Sequence, residues 1–163
     1  MQDFLNTRAS TLTGPDMLRE DANAWAAHAV GAWSTQRGTV GEPPTLTSLD
    51  TAKLRDLRDA LDNALAGVID VDARHPLGTA EFTIANSSEL LWTPTGRGWR
   101  WYYGAILGEM LLSQHTGTWR QLKQCPNVEC CATFYDSSWN NSATWHNRRT
   151  CDPAFPHHVA HRT

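Results

Sequence analysis

The chain lacks the long apolar segments that membrane-spanning and exported proteins carry. None of its apolar runs approaches the roughly 18 residues that a transmembrane helix needs. Its first ten residues, MQDFLNTRAS, have neither a basic start nor an apolar stretch, so no signal peptide is expected. These absences predict a cytoplasmic protein with no membrane partner. In such a reducing compartment, cysteines favour metal binding over disulfide formation.

Motifs of several common enzyme classes are also absent. The segment TGRGWR at residues 95–100 lacks the strand–turn–helix setting that a glycine-rich phosphate loop requires. No order of Ser, His and Asp rises above chance. We therefore assign no catalytic residue, and the sequence leaves open whether the protein is an enzyme.

The net charge of −3 argues against a general polyanion binder.

What the chain does have is an ordinary globular composition over 163 residues, with 40% apolar and 19% charged side chains. This length predicts one moderate domain with a hydrophobic core, with room for a small appendage. Residues 13–33 have helical spacing, with Pro15 suited to the first turn and Gly31 to the end. Residues 46–71 form the clearest predicted helix. Its apolar stripe consists of Leu54, Leu57, Leu61, Leu65 and Val68.

Alternating apolar residues over 80–103 predict a small antiparallel β-element of two or three strands. Trp99, Trp101 and Tyr103 alternate in the last of these, and residues 104–116 predict a helix that packs on them. The sequence therefore predicts an α+β fold. A mainly helical body with a small antiparallel β-element occupies residues 1–118, and a small zinc-finger module of treble-clef or ribbon type occupies residues 119–163.

The four cysteines of the chain all lie within residues 125–151. Four residues separate Cys125 from Cys130, and four separate His146 from Cys151. Two close pairs of soft ligands joined by a loop are what tetrahedral Zn²⁺ requires, and metal binding would order a segment with few apolar residues. The adjacent Cys131 is an equally plausible ligand by spacing. A catalytic thiol at Cys131 or Cys151, and four unrelated cysteines, are the alternatives.

These residues resemble the CGNR zinc finger. CPNVEC matches its first pair of cysteines, TFYDSSWN its middle motif, and TWHNRRTC its last pair, with His146 in place of the third cysteine. The resemblance implies Zn²⁺ on Cys125, Cys130, His146 and Cys151. Cys131 then stands where the family usually has glycine. DFLNT at residues 3–7 is similar to the opening of the ABATE domain, which precedes this finger in stress-induced transcription regulators.

The family resemblance implies a transcription regulator whose zinc module contacts DNA. Residues 119–163 carry a net charge of +2, against −5 for residues 1–118, in agreement with phosphate contacts. However, the family's GNR after the last ligand is Asp-Pro-Ala here, which removes a basic contact. The remaining candidates for nucleic-acid contact are Lys123, Arg148, Arg149 and Arg162.

Two other functions fit the sequence. The chain has eight tryptophans, so a small-molecule-binding protein or enzyme on the same scaffold is one alternative, with an effector bound through Trp99, Trp101 and Asn6. Asn6 also suits a local turn, and the histidines His157, His158 and His161 suit a disordered tail. A protein–protein adaptor with an architectural zinc is the third function. The sequence also leaves open a homodimer.

Overall fold

The computed structural model describes residues 1–11, 14–38, 42–68, 78–86 and 88–155. Within these ranges the predicted α+β class is confirmed, with helices and two small antiparallel sheets. The helices are α1 (Gln2–Leu5), α2 (Met17–Glu20), α3 (Ala22–Arg37), α4 (Ser48–Leu65), α5 (Trp99–His115) and α6 (Arg148–Cys151). The strands are β1 (Ala80–Ile84), β2 (Leu90–Pro94), β3 (Leu122–Gln124) and β4 (Thr133–Tyr135). No helix in the described ranges is long and apolar enough to cross a membrane.

The first predicted helix is two helices, and both of its predicted ends are wrong. Pro15 precedes the helix and is not in its first turn, because α2 begins at Met17 and the Asp16 carboxylate caps it by accepting the Leu18 N–H. Asp21 interrupts the helix and caps α3 in the same way. Helix α3 continues past Gly31 and ends at Arg37. Gly38 follows with a φ of 64°, the left-handed conformation that glycine adopts easily.

The helix predicted over residues 46–71 is confirmed as α4, although it ends at Leu65. Thr47 and Asp50 form a capping box, in which each side chain accepts the backbone N–H of the other residue. The leucines at 54, 57 and 61 are buried as predicted. Val68 does not belong to this stripe, because it lies beyond the end of α4 and is 59% exposed.

Only two of the predicted strands form, β1 and β2, with Phe82 opposite Trp92. The third predicted strand is wrong, because Trp99 and Trp101 lie in the first turn of α5. The Asp50 carboxylate accepts the Trp99 N–H and so satisfies one unpaired donor at the start of α5. In a helix, Trp99 and Tyr103 fall on one face, and their rings meet edge to face.

The helical body has one hydrophobic core, to which α1–α5 all contribute. Its buried residues are Phe4, Leu5, Leu18, Ala22, Ala26, Val30, Leu46, Leu54, Leu57, Leu61, Tyr102, Tyr103 and Ile106. A 3-10 turn at Thr118–Gln121 leads from α5 to β3, and the predicted boundary between residues 118 and 119 falls in this turn. The residues that follow form a separate small cluster around the cysteines.

Candidate metal centre

Cys125 and Cys130 lie in the turn that joins β3 to β4. The Cys125 N–H donates to the Ala132 carbonyl at 2.8 Å, which extends the pairing of the two strands to the first thiol. The Asn127 carbonyl accepts the N–H groups of Cys130 and Cys131 at 3.0 and 2.9 Å. The backbone thus curls around the two thiols, both of which are buried.

The second half of the cluster comes from the other end of the module. His146 precedes α6, and Cys151 is the last residue of that helix. The Asn147 side chain caps α6 by accepting the Arg149 N–H. The Asn127 side chain donates to the Cys151 carbonyl at 3.2 Å, which ties the helix to the turn between β3 and β4.

The ligand atoms of the two halves converge. The Sγ atoms of Cys125, Cys130 and Cys151 all lie within 4.8 Å of one another. The Nδ1 atom of His146 is 3.4 Å from Cys130 Sγ and 3.8 Å from Cys151 Sγ. With ordinary zinc–sulfur and zinc–nitrogen bond lengths, neighbouring S and N ligands of a tetrahedral ion are about 3.6 Å apart. The three buried cysteines are thus close enough to hold a metal ion, and His146 lies at ligand spacing from two of them.

The cluster also perturbs the acidity of its thiols. Burial raises the pKa of Cys130 to about 12. Burial would raise the pKa of Cys151 too, but hydrogen bonds from Thr150, His146 and the neighbouring thiols lower it to about 6. A bound divalent cation favours the thiolate form of every ligand.

Cys131 is outside this cluster, although it adjoins Cys130. Its thiol donates to the Val128 carbonyl at 3.2 Å. Its φ of 50° lies in the left-handed region, which favours glycine. Glycine adopts this conformation easily, and glycine is the residue that the resemblance implies for the family at this position.

A partly buried ion pair holds the loop that leads to His146. Lys123 Nζ donates to Asp136 Oδ2 at 2.7 Å and to the carbonyls of Asn141 and Ala143 at 2.7 and 3.0 Å. The Asp136 carboxylate also accepts the N–H groups of Ser138 and Ala143. The hydrogen bond from Lys123 is the main reason that the pKa of Asp136 is far below its usual range. Lys123 therefore uses its three N–H donors inside the module, and none is left for a phosphate.

The other predicted nucleic-acid contacts are placed differently. Arg148 and Arg149 are exposed at the start of α6, and Arg148 Nε lies 3.2 Å from Asp152 Oδ2. An exposed pair of this kind contributes only about 0–1 kcal/mol, so Arg148 can readily exchange Asp152 for another anion. Arg162 lies outside the described residues, as do His157, His158 and His161.

Asn6 joins the module to the body. Its side-chain amide donates to the Thr133 carbonyl and accepts the Thr133 N–H, both at 2.8 Å. Thr11 adds a hydrogen bond from its hydroxyl to the Glu129 carbonyl at 2.7 Å. The predicted local turn is present, because Asn6 follows α1 and its N–H donates to the Gln2 carbonyl at 3.0 Å. Its side chain pairs with the backbone of β4, so both polar groups of the amide are engaged within the chain; the predicted ligand contact stays a prediction.

Searches against protein-family models, curated proteins and solved structures give no match for this chain. The family membership predicted from the motifs therefore stays a prediction.

Proposed function

We propose that the chain is a zinc-binding protein in which Cys125, Cys130, His146 and Cys151 hold one Zn²⁺ ion. The observation that carries this proposal is the convergence of three buried Sγ atoms, with His146 Nδ1 beside two of them. Soft thiolate ligands with one imidazole favour Zn²⁺ over the hard cations Mg²⁺ and Ca²⁺.

The proposed role of the ion is structural. Four protein ligands would fill a tetrahedral site and leave no position for a substrate or a reactive water. The three thiols are buried, so they would shield the ion from solvent. His146 is exposed, so solvent would approach the ion on the side of this residue. The zinc would thus hold α6 against the β3–β4 hairpin, which supports a structural ion over zinc catalysis.

Metal analysis of the purified protein tests this assignment. We expect one zinc per chain, and we expect Co²⁺ to replace it with the visible and near-ultraviolet absorption of a tetrahedral thiolate site. His146→Ala should weaken Co²⁺ binding by more than about 100-fold, since loss of a mere hydrogen bond to a ligand already costs about 10–100-fold. The control is His115→Ala, at the exposed end of α5. Equal Co²⁺ affinity of the two variants would remove His146 from the ligand set.

We also propose, from the resemblance to transcription regulators, that the module contacts DNA. The observation that favours this function is the exposure of Arg148 and Arg149, side by side on the turn that follows His146. In the proposed centre the zinc would fix this turn, so two guanidinium groups would be presented in a defined geometry. Both are suited to phosphate contacts.

Mobility-shift titrations over a range of salt concentrations test DNA contact. The double variant Arg148→Ala/Arg149→Ala should bind more weakly than the unmodified protein, and the slope of log affinity against log salt should fall by up to about 2. The matched control, Arg19→Ala/Arg55→Ala, removes the same charge from the helical body and should leave the slope unchanged. An equal loss in both double variants would indicate nonspecific attraction only.

A further inference from the structure

One face of the β1–β2 hairpin is apolar, and much of it is exposed to solvent. Four side chains share this face, because they are paired across the strands at two-residue spacing. They are Phe82 and Ile84 of β1, and Trp92 and Leu90 of β2. Trp92 packs against Gly108 of α5, where an added Cβ would lie 2.2 Å from the indole ring. The other three side chains are 64–76% exposed, so the hairpin leaves a group of large apolar residues without cover.

The outer edge of β1 has backbone groups that no described residue pairs with. Within the hairpin, the Thr95 N–H donates to the Thr79 carbonyl at 3.0 Å, and the Ala85 N–H donates to the Glu89 carbonyl at 2.9 Å. Hydrogen-bonded pairs alternate with non-hydrogen-bonded pairs along an antiparallel ladder. The odd-numbered residues of β1 therefore bond to β2, whereas the N–H and carbonyl groups of its even-numbered residues point away from β2. These outward-facing residues are Ala80, Phe82 and Ile84.

The two edges of the hairpin differ in how they are protected against further pairing. Proteins commonly block a free edge with Pro or Lys, or cover it with another element. The edge of β2 includes Pro94, which has no N–H, and Gly104 of α5 lies against this residue. In contrast, β1 has no Pro and no Lys, and Glu81 is its only charged residue. The edge of β1 is thus the one that is suited to another strand.

We propose that the chain forms a homodimer in which β1 pairs antiparallel with β1 of a second copy. The twofold axis would pass between the two Phe82 residues, which places Ala80 opposite Ile84 of the second copy. In this register every outward-facing N–H and carbonyl group of β1 has a partner. The two hairpins would join into one sheet, and their apolar faces would meet across the axis. Backbone hydrogen bonds and apolar burial would thus stabilise the same interface.

Charge complementarity favours this register over its neighbours. With Phe82 on the axis, Glu81 faces the uncharged Thr83 of the second copy. An axis at Glu81 would instead place two carboxylates directly opposite each other, in a non-hydrogen-bonded pair where side chains are closest. An axis at Thr83 would place Ala80 opposite Asn86, beyond the end of the strand. The register centred on Phe82 therefore pairs the outward-facing groups and keeps the two charges apart.

Sedimentation and hydrogen exchange over a range of protein concentrations test the dimer. The purified full chain is expected to sediment as a dimer that dissociates on dilution. The amides of Ala80, Phe82 and Ile84 should be protected in the dimer and should exchange rapidly in the dilute monomer. A monomer at every concentration would overturn the proposal, and protection of these amides in that monomer would place a segment of the same chain on the edge. A dimer in which these amides exchange rapidly would place the interface elsewhere and would also overturn the proposal.

Substitutions of Thr83 test the register of the two strands. Thr83→Lys would place an ammonium group opposite Glu81 of the second copy on both sides of the axis, so the dimer dissociation constant should fall about fivefold. Thr83→Glu would place two carboxylates there, and the constant should rise by a similar factor. The matched control is Thr93→Lys, which adds the same charge opposite Glu81 of its own hairpin and should not tighten the dimer. Equal tightening by both lysine variants would mean that only net charge acts, which would contradict the proposed register.

Discussion

Removal of the proposed zinc ion is expected to unfold residues 122–155 while the helical body stays folded. Apart from the cysteines, only Ala132 and Phe134 are buried in the cluster of this module. Burial of a Phe side chain contributes only about 1.5–3 kcal/mol. Structural zinc binding contributes on the order of 10 kcal/mol or more. The ion, and not apolar burial, should therefore decide whether the module folds.

Hydrogen exchange before and after chelation measures this effect. Amides of β3, β4 and α6 should lose protection, and amides of α3, α4 and α5 should keep it, because the body has its own core. Cys130→Ser should have the same effect without chelator. The matched control is Cys131→Ser, which keeps a donor for the Val128 carbonyl and removes no proposed ligand. Full protection of the module in metal-free protein would refute a structural ion.

Arg58→Ala is expected to destabilise the helical body by about 3–5 kcal/mol, because it breaks a buried ion pair and leaves its partner uncompensated. The Arg58 side chain is 5% exposed. Nη2 donates to Asp16 Oδ2 at 2.8 Å, and Nη1 donates to Thr7 Oγ1 at 3.0 Å. The guanidinium group therefore joins α4 to the segment between α1 and α2. Denaturant unfolding measures the free-energy difference.

The control is Arg55→Ala, which removes the same charge from the same helix. In the described part of the chain Arg55 makes no hydrogen bond or ion pair, and it acts on Asp16 only through its positive charge at a distance. Its loss should therefore change the stability by no more than about 0.5 kcal/mol. A similar loss in both variants would mean that net charge, and not the buried pair, matters at Arg58.

The effect of Arg58 should also depend on pH. Burial would raise the pKa of Asp16, but the hydrogen bond from Arg58 and its positive charge outweigh burial and lower it. A carboxylate with a lowered folded-state pKa stabilises the fold above its unfolded pKa of about 3.9, and this stabilisation is lost as the pH falls through the folded value. The difference between unmodified protein and Arg58→Ala should thus be constant near neutral pH and shrink below about pH 4. The cysteine cluster is identical in both proteins, so its own response to acid cancels.

Local patterns predicted the parts of the fold that local interactions determine. The stripe of leucines and the capping box define α4 because both lie within one helix. The spacing of Cys125, Cys130, His146 and Cys151 predicted a cluster. The three cysteines meet because a hydrogen bond holds the end of α6 against the turn between β3 and β4. The metal ion and the role of His146 stay predictions.

Sequence patterns failed where a distant residue decides the outcome. Trp99, Trp101 and Tyr103 alternate as in a strand, but α5 begins there because the Asp50 side chain satisfies its first N–H. Lys123 has the appearance of a phosphate contact until the fold brings Asp136 beside it, 13 positions later in the chain. The cavity lined by Phe4, Trp33 and Trp101 is formed by side chains of α1, α3 and α5, so no single motif indicates it.

The pairing of Asn6 with Thr133 has a consequence for how the chain reaches its final form. The two residues are 127 positions apart, so this contact closes most of the chain into a loop. Contacts of such long sequence separation form late, since the entropy of loop closure must be overcome first. During synthesis α1 emerges before β4, so Asn6 has no strand to pair with until β4 has been made. Attachment of the module to the body should therefore be among the last steps of folding.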